Sequence, residues 1–356
     1  MARLAQLRVA MSVSVLLVAI IFSAFLAALV LIVRAYLVPF STSFALLIIG
    51  AGTLIFILIE YLIGPAIVRA STRLRYLKPG EHPWLESTVK DIAQKSEIPM
   101  PKLAIVPDET PNAFVFGRTR GGVTLAVHEG LLKQLDKEEI RGVVGHELGH
   151  IKHRDFIVMT LLSAIPLLAF MIARVSFEVA VHATDGGKEK KEGGIPIRAA
   201  LFAAAIISYV VYFVSLLCVM RLSRLREHYA DAYSAYVTGE PRQLESALTK
   251  ISYGLSLAPQ PPHGARTLYI GDQALAKQEC QGILHRKEEY DLDKDGVLDE
   301  RELELAMERE AKSRWKTINT WFATHPATYQ RIILLREIGS EMASGRYSSE
   351  RIYAYI

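Results

Sequence analysis

Four long apolar stretches, residues 9–33, 44–63, 156–181 and 199–220, constrain this chain more than any other feature. Each is close to the roughly 20 residues that a helix needs to cross hydrocarbon. Together they explain why 51% of the 356 residues are hydrophobic, an excess that one soluble core does not absorb. The expectation is four transmembrane helices. The first stretch is longer than the about 7–15 apolar residues of a signal peptide, with no clear small-residue cleavage site after it, and reads as a retained anchor. Arg3 and Arg8 precede the first span, and Arg69, Arg73, Arg75 and Lys78 follow the second. Positive charge at both ends places them in the cytoplasm, and parity returns the later soluble parts to that side. The loop at 184–198 carries Lys188, Lys190, Lys191 and Arg198 although parity puts it outside. That conflict leaves open whether the last two stretches cross lipid or sit partly in protein.

The soluble segment from Glu81 to Asp155 mixes helix and strand. An amphipathic helix is expected near Trp84 to Lys95, and strands over Lys102 to Val106, around Asn112 to Gly117 and over Gly122 to Val127. After the fourth stretch the helix continues over Leu222 to Val237, with more helical sequence around Leu244 to Leu257, until the Pro-rich stretch Ala258 to Gly264 breaks it. Cys218 and Cys280 form neither a disulfide framework nor a thiolate cluster, so any metal must use His and carboxylates. The net charge of +4 comes from interspersed signs without a basic face, which argues against a nucleic-acid partner.

Asp136 followed three residues later by Glu139 is a capping-box pattern, and Ile140, Val143, Val144 and Leu148 then recur at helical spacing. The helix this predicts carries His146-Glu147-Leu148-Gly149-His150 and runs almost unbroken through His153 and Asp155 into the third apolar stretch, near the membrane surface. Residues four apart share a helix face, so His146 and His150 can present ring nitrogens to one cation, and catalytic zinc suits that pair. Glu147 points about 100° round the helix, where it can reach a metal-bound water and serve as general base. Taken alone, the motif also arises by chance.

A third ligand must come from elsewhere. Glu227 is the best candidate, with Asp231 one turn later to accept the outer N–H of a liganding imidazole. The competing reading is an exposed helix on which Arg224, Arg226, Glu227 and Asp231 pair with one another. Across most of its length, from Arg8 to about Leu335, the chain resembles the HtpX-like membrane zinc peptidases. The motifs concerned are HExxH at the mouth of a transmembrane hairpin, a later ExxxD, two N-terminal spans, Asn112-Ala113-Phe114, and His325-Pro326 with Arg331-Ile332. The resemblance implies zinc held by His146, His150 and Glu227, and cytoplasmic hydrolysis of misfolded or unassembled membrane proteins in the cell membrane. It also implies that the Asn112-Ala113-Phe114 strand lies beside the cleft and pairs with the substrate backbone, where the residues alone allow Asn112 to be a turn residue. His325 could donate to a developing oxyanion. Equally, Thr324 and Pro326 read as an N-cap and first-turn proline. His153 reads as a solvated or interfacial residue. The CaaX prenyl proteases share the zinc motifs but have more spans, and are the alternative, as is a non-enzymatic calcium-responsive scaffold with structural zinc closed by His128, His153 or His325.

Residues 291–302 fit the EF-hand pattern at every diagnostic place. Asp291, Asp293 and Asp295 offer side-chain oxygens, Val297 a carbonyl, Asp299 a direct or water-mediated ligand and Glu302 a bidentate carboxylate, while Gly296 permits the turn. The resemblance does not explain this insertion, whose bland reading is a solvated acidic loop. The resulting fold class is a mainly α membrane protein, with four transmembrane helices and a gluzincin-type α+β catalytic domain holding an EF-hand-like insertion. Its parts are the first hairpin (1–70), the first catalytic segment (71–155), the second hairpin (156–222), the segment with the third ligand (223–277), the insertion (278–314) and the C-terminal catalytic part (315–356).

Overall fold

A computed structural model describes residues 42–182, 196–257, 270–271, 273–294 and 325–346, with Leu16, Glu302, Leu305, Ala306, Arg309 and Ala323 as single positions. Most of the first apolar stretch, the Pro-rich segment 258–264, and Asp295, Val297 and Asp299 of the acidic loop lie outside the described residues. The described elements are α1 (Thr42–Thr72), β1 (Arg75–Tyr76), α2 (Pro83–Lys95), β2 (Lys102–Val106), β3 (Ala113–Phe116), β4 (Thr124–His128), α3 (Glu129–Gln134), α4 (Lys137–His153), α5 (Asp155–His182), α6 (Ile197–Thr238), α7 (Pro241–Leu257), α8 (Gln273–His285), α9 (Lys287–Tyr290) and α10 (Thr328–Ala343). The chain divides into two units, one of residues 1–7, 64–157 and 220–356, the other of 8–63 and 158–219.

The first unit is built on a four-stranded sheet of order β1-β2-β4-β3, in which β2 and β4 run parallel and β1 and β3 join antiparallel at the two edges. Alternation splits its side chains between two faces. Ile105, Ala113, Val115, Leu125 and Val127 join Leu85, Val89 and Ile92 of α2 and Ile140, Val143, Val144 and Leu148 of α4 in the main core. Ala104, Val106, Phe114, Phe116 and Ala126 pack on the other face beneath Val68 and Leu74. With both faces covered, β3 and β4 are buried along their whole length. Strands covered on both sides favour the near-continuous apolar runs seen here over a clean polar alternation. α7 and α10 close the core through Leu244, Ala247, Leu248, Ile251, Leu334, Leu335 and Ile338.

In the second unit, Ala169 of α5 and Val211 of α6 pack with Ile165, Leu168, Ile172 and Tyr212. Phe170 meets Tyr209 and Tyr212 edge-on or tilted, and Phe177 meets Phe202. Large apolar side chains on all three helices stay exposed, among them Leu54 and Leu58 on α1, Val175 on α5 and Ile206 and Val210 on α6. Among the described residues, the helices at 165–182 and 198–238 are long and apolar enough to cross a membrane.

Candidate metal centre

The metal motif sits on a helix whose start is fixed locally. Asp136 Oδ1 accepts the Glu139 N–H at 2.8 Å and Glu139 Oε2 accepts the Asp136 N–H at 2.9 Å, the reciprocal capping box. The other oxygen of Glu139 accepts from Ser246 and Lys250, so the cap also ties α4 to α7. At Gly142 a Cβ would meet the Leu244 backbone nitrogen at 2.8 Å, so only glycine admits this crossing. One turn later the helix presents His146 and His150, and α6 brings Glu227 and Asp231 to the same point.

His146 Nε2 and His150 Nε2 stand 3.1 Å apart. The Glu227 carboxylate faces both, 3.5 Å from the first through Oε2 and 3.4 Å from the second through Oε1. Two donors each about 2.0–2.1 Å from one zinc at a tetrahedral angle are roughly 3.3 Å apart, so these separations match three corners of a zinc tetrahedron. The tautomers point the same way. His146 Nδ1 is 2.9 Å from Asp231 Oδ1 and His150 Nδ1 is 2.7 Å from Asp155 Oδ2. A carboxylate partner accepts the Nδ1–H, which keeps the proton on Nδ1 and leaves each Nε2 with its lone pair towards the other and towards Glu227. Three electron-rich groups converge here, and the buried Glu227 Oε2 accepts no hydrogen bond among the described residues.

The electrostatics agree. Burial works against charge on both histidines, yet the Asp231 and Glu227 carboxylates beside His146, and Glu227 beside His150, outweigh it and raise both. The centre therefore favours positive charge. Glu147, buried beside it, has its carboxyl pushed up to about 7 by burial, opposed by His150 and His146.

Behind the histidines lies a layer that local spacing did not reveal. Arg331, 2% exposed, donates from Nε and Nη2 to Asp231 at 2.8 and 2.7 Å and from Nη1 to the Ile270 carbonyl at 2.5 Å, with Nη1 also 3.5 Å from Glu227. Asp155 is the partner of His150 and is itself held by Arg226. Neither Asp155 nor Arg226 stands out from spacing, because Asp155 is five residues beyond His150, about 140° away round a continuous helix. Arg154 breaks that helix in the left-handed conformation, φ 61°, and turns Asp155 back. The charges on α6 thus pair chiefly with other segments, not with one another on an exposed helix.

His325 is buried, its Nε2 3.9 Å from Glu227 Oε1. It precedes the helix instead of opening it, since α10 starts at Thr328 with Ala327 at the N-cap position. Pro326 disfavours a helical conformation at the residue before it. Asn112 is fully buried, its Oδ1 accepting the Ile270 N–H at 2.9 Å, while Ala113 and Phe114 begin edge strand β3. His128 Nδ1 is turned to the Thr110 carbonyl, 3.0 Å away. His153 is half-buried and meets the rings of Tyr229 and Tyr233. In the acidic loop, the carboxylates of Asp291, Asp293 and Glu302 lie within 4.8 Å of one another, and Glu302 Oε1 accepts the Leu292 N–H at 2.6 Å.

The pattern of peptidase family M48 matches residues 79–339, well over half of the chain. The chain belongs to this family. It is an HtpX-like M48 metalloprotease: a protease HtpX homologue of Methanothermobacter thermautotrophicus is 40% identical over 200 residues, 56% of this chain and 71% of the relative. One from Aeropyrum pernix is 31% identical over 286 residues, 80% of this chain and 84% of the relative. The crystal structure of S. mikatae Ste24p is similar at a TM-score of 0.46 and 15% identity, covering 91% of this chain and 63% of that one. The matched region of this M48 peptidase contains all three converging donors, together with Asp155, Arg226, Asp231, His325 and Arg331.

Proposed function

We propose that this protein is a membrane-embedded zinc endopeptidase, its ion held by His146, His150 and Glu227, with the catalytic part in the cytoplasm. The observation that carries the reading is the convergence of two Nε2 atoms and one carboxylate at the separations of zinc ligands, with both Nδ1 atoms tied to carboxylates. Three protein donors leave one position for water, the arrangement of a catalytic site. Zinc bound there supplies the Lewis acidity that brings a water's pKa towards ~7 and polarises a carbonyl. Glu147 accepts the proton of the attacking water and returns it to the amine as the C–N bond breaks. His325 donates to the oxygen on which charge develops, and Asp231 keeps His146 in its liganding tautomer. The substrate strand pairs with edge strand β3 at Ala113 and Phe114. Binding through backbone makes little demand on sequence, which suits misfolded or unassembled membrane proteins as substrates.

The test is Glu147→Gln in the full-length protein. The variant retains about one zinc per chain and loses cleavage of casein; retained cleavage ends this reading.

A second metal, calcium, binds in the loop from Asp291 to Glu302 on the same reading. What supports it is the complete ligand pattern in the sequence, together with the approach of its first, third and twelfth positions to one another. Tyr290, just before the loop, packs with Ile283, Ala306 and Ile332, as the apolar flanks of such a loop do. Calcium then orders the insertion and tunes access to the zinc cleft. Calorimetric titration with calcium gives one saturable site that Glu302→Ala abolishes. Protease activity unmoved by calcium at fixed zinc, with the loop loaded, removes the regulatory part.

A further inference from the structure

Each liganding histidine is backed by the same pair of residue types. His146 Nδ1 rests on Asp231, which is gripped by Arg331. His150 Nδ1 rests on Asp155, which is gripped by Arg226. We propose that Asp155 and Arg226 are a positioning pair for the metal centre, holding His150 with its Nε2 lone pair on the ion; this rests on the zinc reading above.

Three features single the pair out from an ordinary ion pair. Asp155 and Arg226 are 5% and 3% exposed, and a charged pair is this deeply buried only where each partner answers the other. Arg226 Nε and Nη1 find no hydrogen-bond partner among the described residues, so the guanidinium depends on Asp155. Asp155 is also the first residue of α5, where the helix dipole favours a carboxylate. Its Oδ2 lies 2.7 Å from His150 Nδ1, in place to accept that N–H.

The placement adds a geometric constraint. Arg226 is the residue before Glu227 on α6, so one helix sets both the third ligand and, through Asp155, the ring of the second. The left-handed turn at Arg154 makes this possible by returning Asp155 to a histidine that a continuous helix would carry it past. Outer partners of liganding imidazoles are worth about 10–100-fold in metal affinity.

The experiment measures zinc affinity of the full-length protein in detergent by competition with a chromophoric chelator, and the visible spectrum of the cobalt-substituted form. Asp155→Asn and Arg226→Gln each weaken zinc binding about 10–100-fold and alter the cobalt spectrum, and Asp155→Glu, which keeps the carboxylate, stays closer to wild type. Because Asp155→Asn leaves the Arg226 charge buried and unanswered, the double variant Asp155→Asn/Arg226→Gln is measured beside it. It folds, and it loses no more affinity than the worse single variant, since the pair acts as one unit. Zinc affinity of the folded double variant within about twofold of wild type, against the 10–100-fold expected, overturns the proposal. Wild type that takes up no zinc instead removes the reading on which the proposal stands.

Discussion

At the residue scale, the centre turns on which atom of each side chain is left free. Carboxylates at the two Nδ1 positions decide that both Nε2 atoms face inward, and Glu227 supplies the balancing charge. The HExxH pair and Glu227 were legible because residue type and helical spacing carry them. The partners of Asp155, Arg226 and Arg331 were not: the Arg226–Asp155 and Arg331–Asp231 contacts span 71 and 100 residues, and the five-residue step from His150 to Asp155 departs from helical spacing. His153 shows the same limit: its sequence neighbourhood is polar, yet tertiary packing sets it against Tyr229 and Tyr233. Burial first, then the charges of His150 and Arg226, lowers its pKa to about 3. A histidine lowered in the folded state is neutral there, so the fold has its full stability above the unfolded value near 6.5 and loses it as pH falls towards 3. His153→Phe keeps the ring contacts and removes the titration. The variant's denaturation midpoint is therefore less sensitive than wild type's to a change from pH 7 to pH 5; an equal acid shift in both counts against this account.

At the scale of elements, local chemistry forecast starts better than turns. The Asp136–Glu139 capping box stands as the spacing predicted, because both partners lie within four residues of each other. The expected near-continuous run from the metal helix into the third apolar stretch is interrupted at Arg154, a position with neither glycine nor proline to announce it. The fourth apolar stretch and the helical sequence expected to continue from it over Leu222 to Val237 form one helix, Ile197–Thr238, that carries Glu227 on its later part. The α4–α7 crossing is where element packing and the centre meet. An alanine Cβ at position 142 would press on the Leu244 backbone, which cannot rotate aside as a side chain would. Gly142→Ala is thus expected to destabilise the protein by about 1–3 kcal/mol, read from denaturation, and to weaken zinc retention because His146 is one turn away. Unchanged stability would mean that the helices part without cost.

For the molecule as a whole, the α+β unit was readable from strand alternation and helix caps, but the order β1-β2-β4-β3 was not, because strand neighbours are chosen by tertiary packing. The exposed apolar side chains of α1, α5 and α6 have no place in water at this density. The protein is expected to remain in the membrane fraction after an alkaline carbonate wash, and release into the wash would contradict the membrane assignment. The central claim is that segments far apart in sequence assemble one catalytic zinc centre, and metal analysis of wild type and Glu227→Ala, paired with casein cleavage, tests it most directly. Wild type is expected to hold about one zinc per chain, and the variant to lose metal and cleavage together. Zinc and activity both retained by Glu227→Ala, or wild-type cleavage that survives full removal of metal, would contradict it.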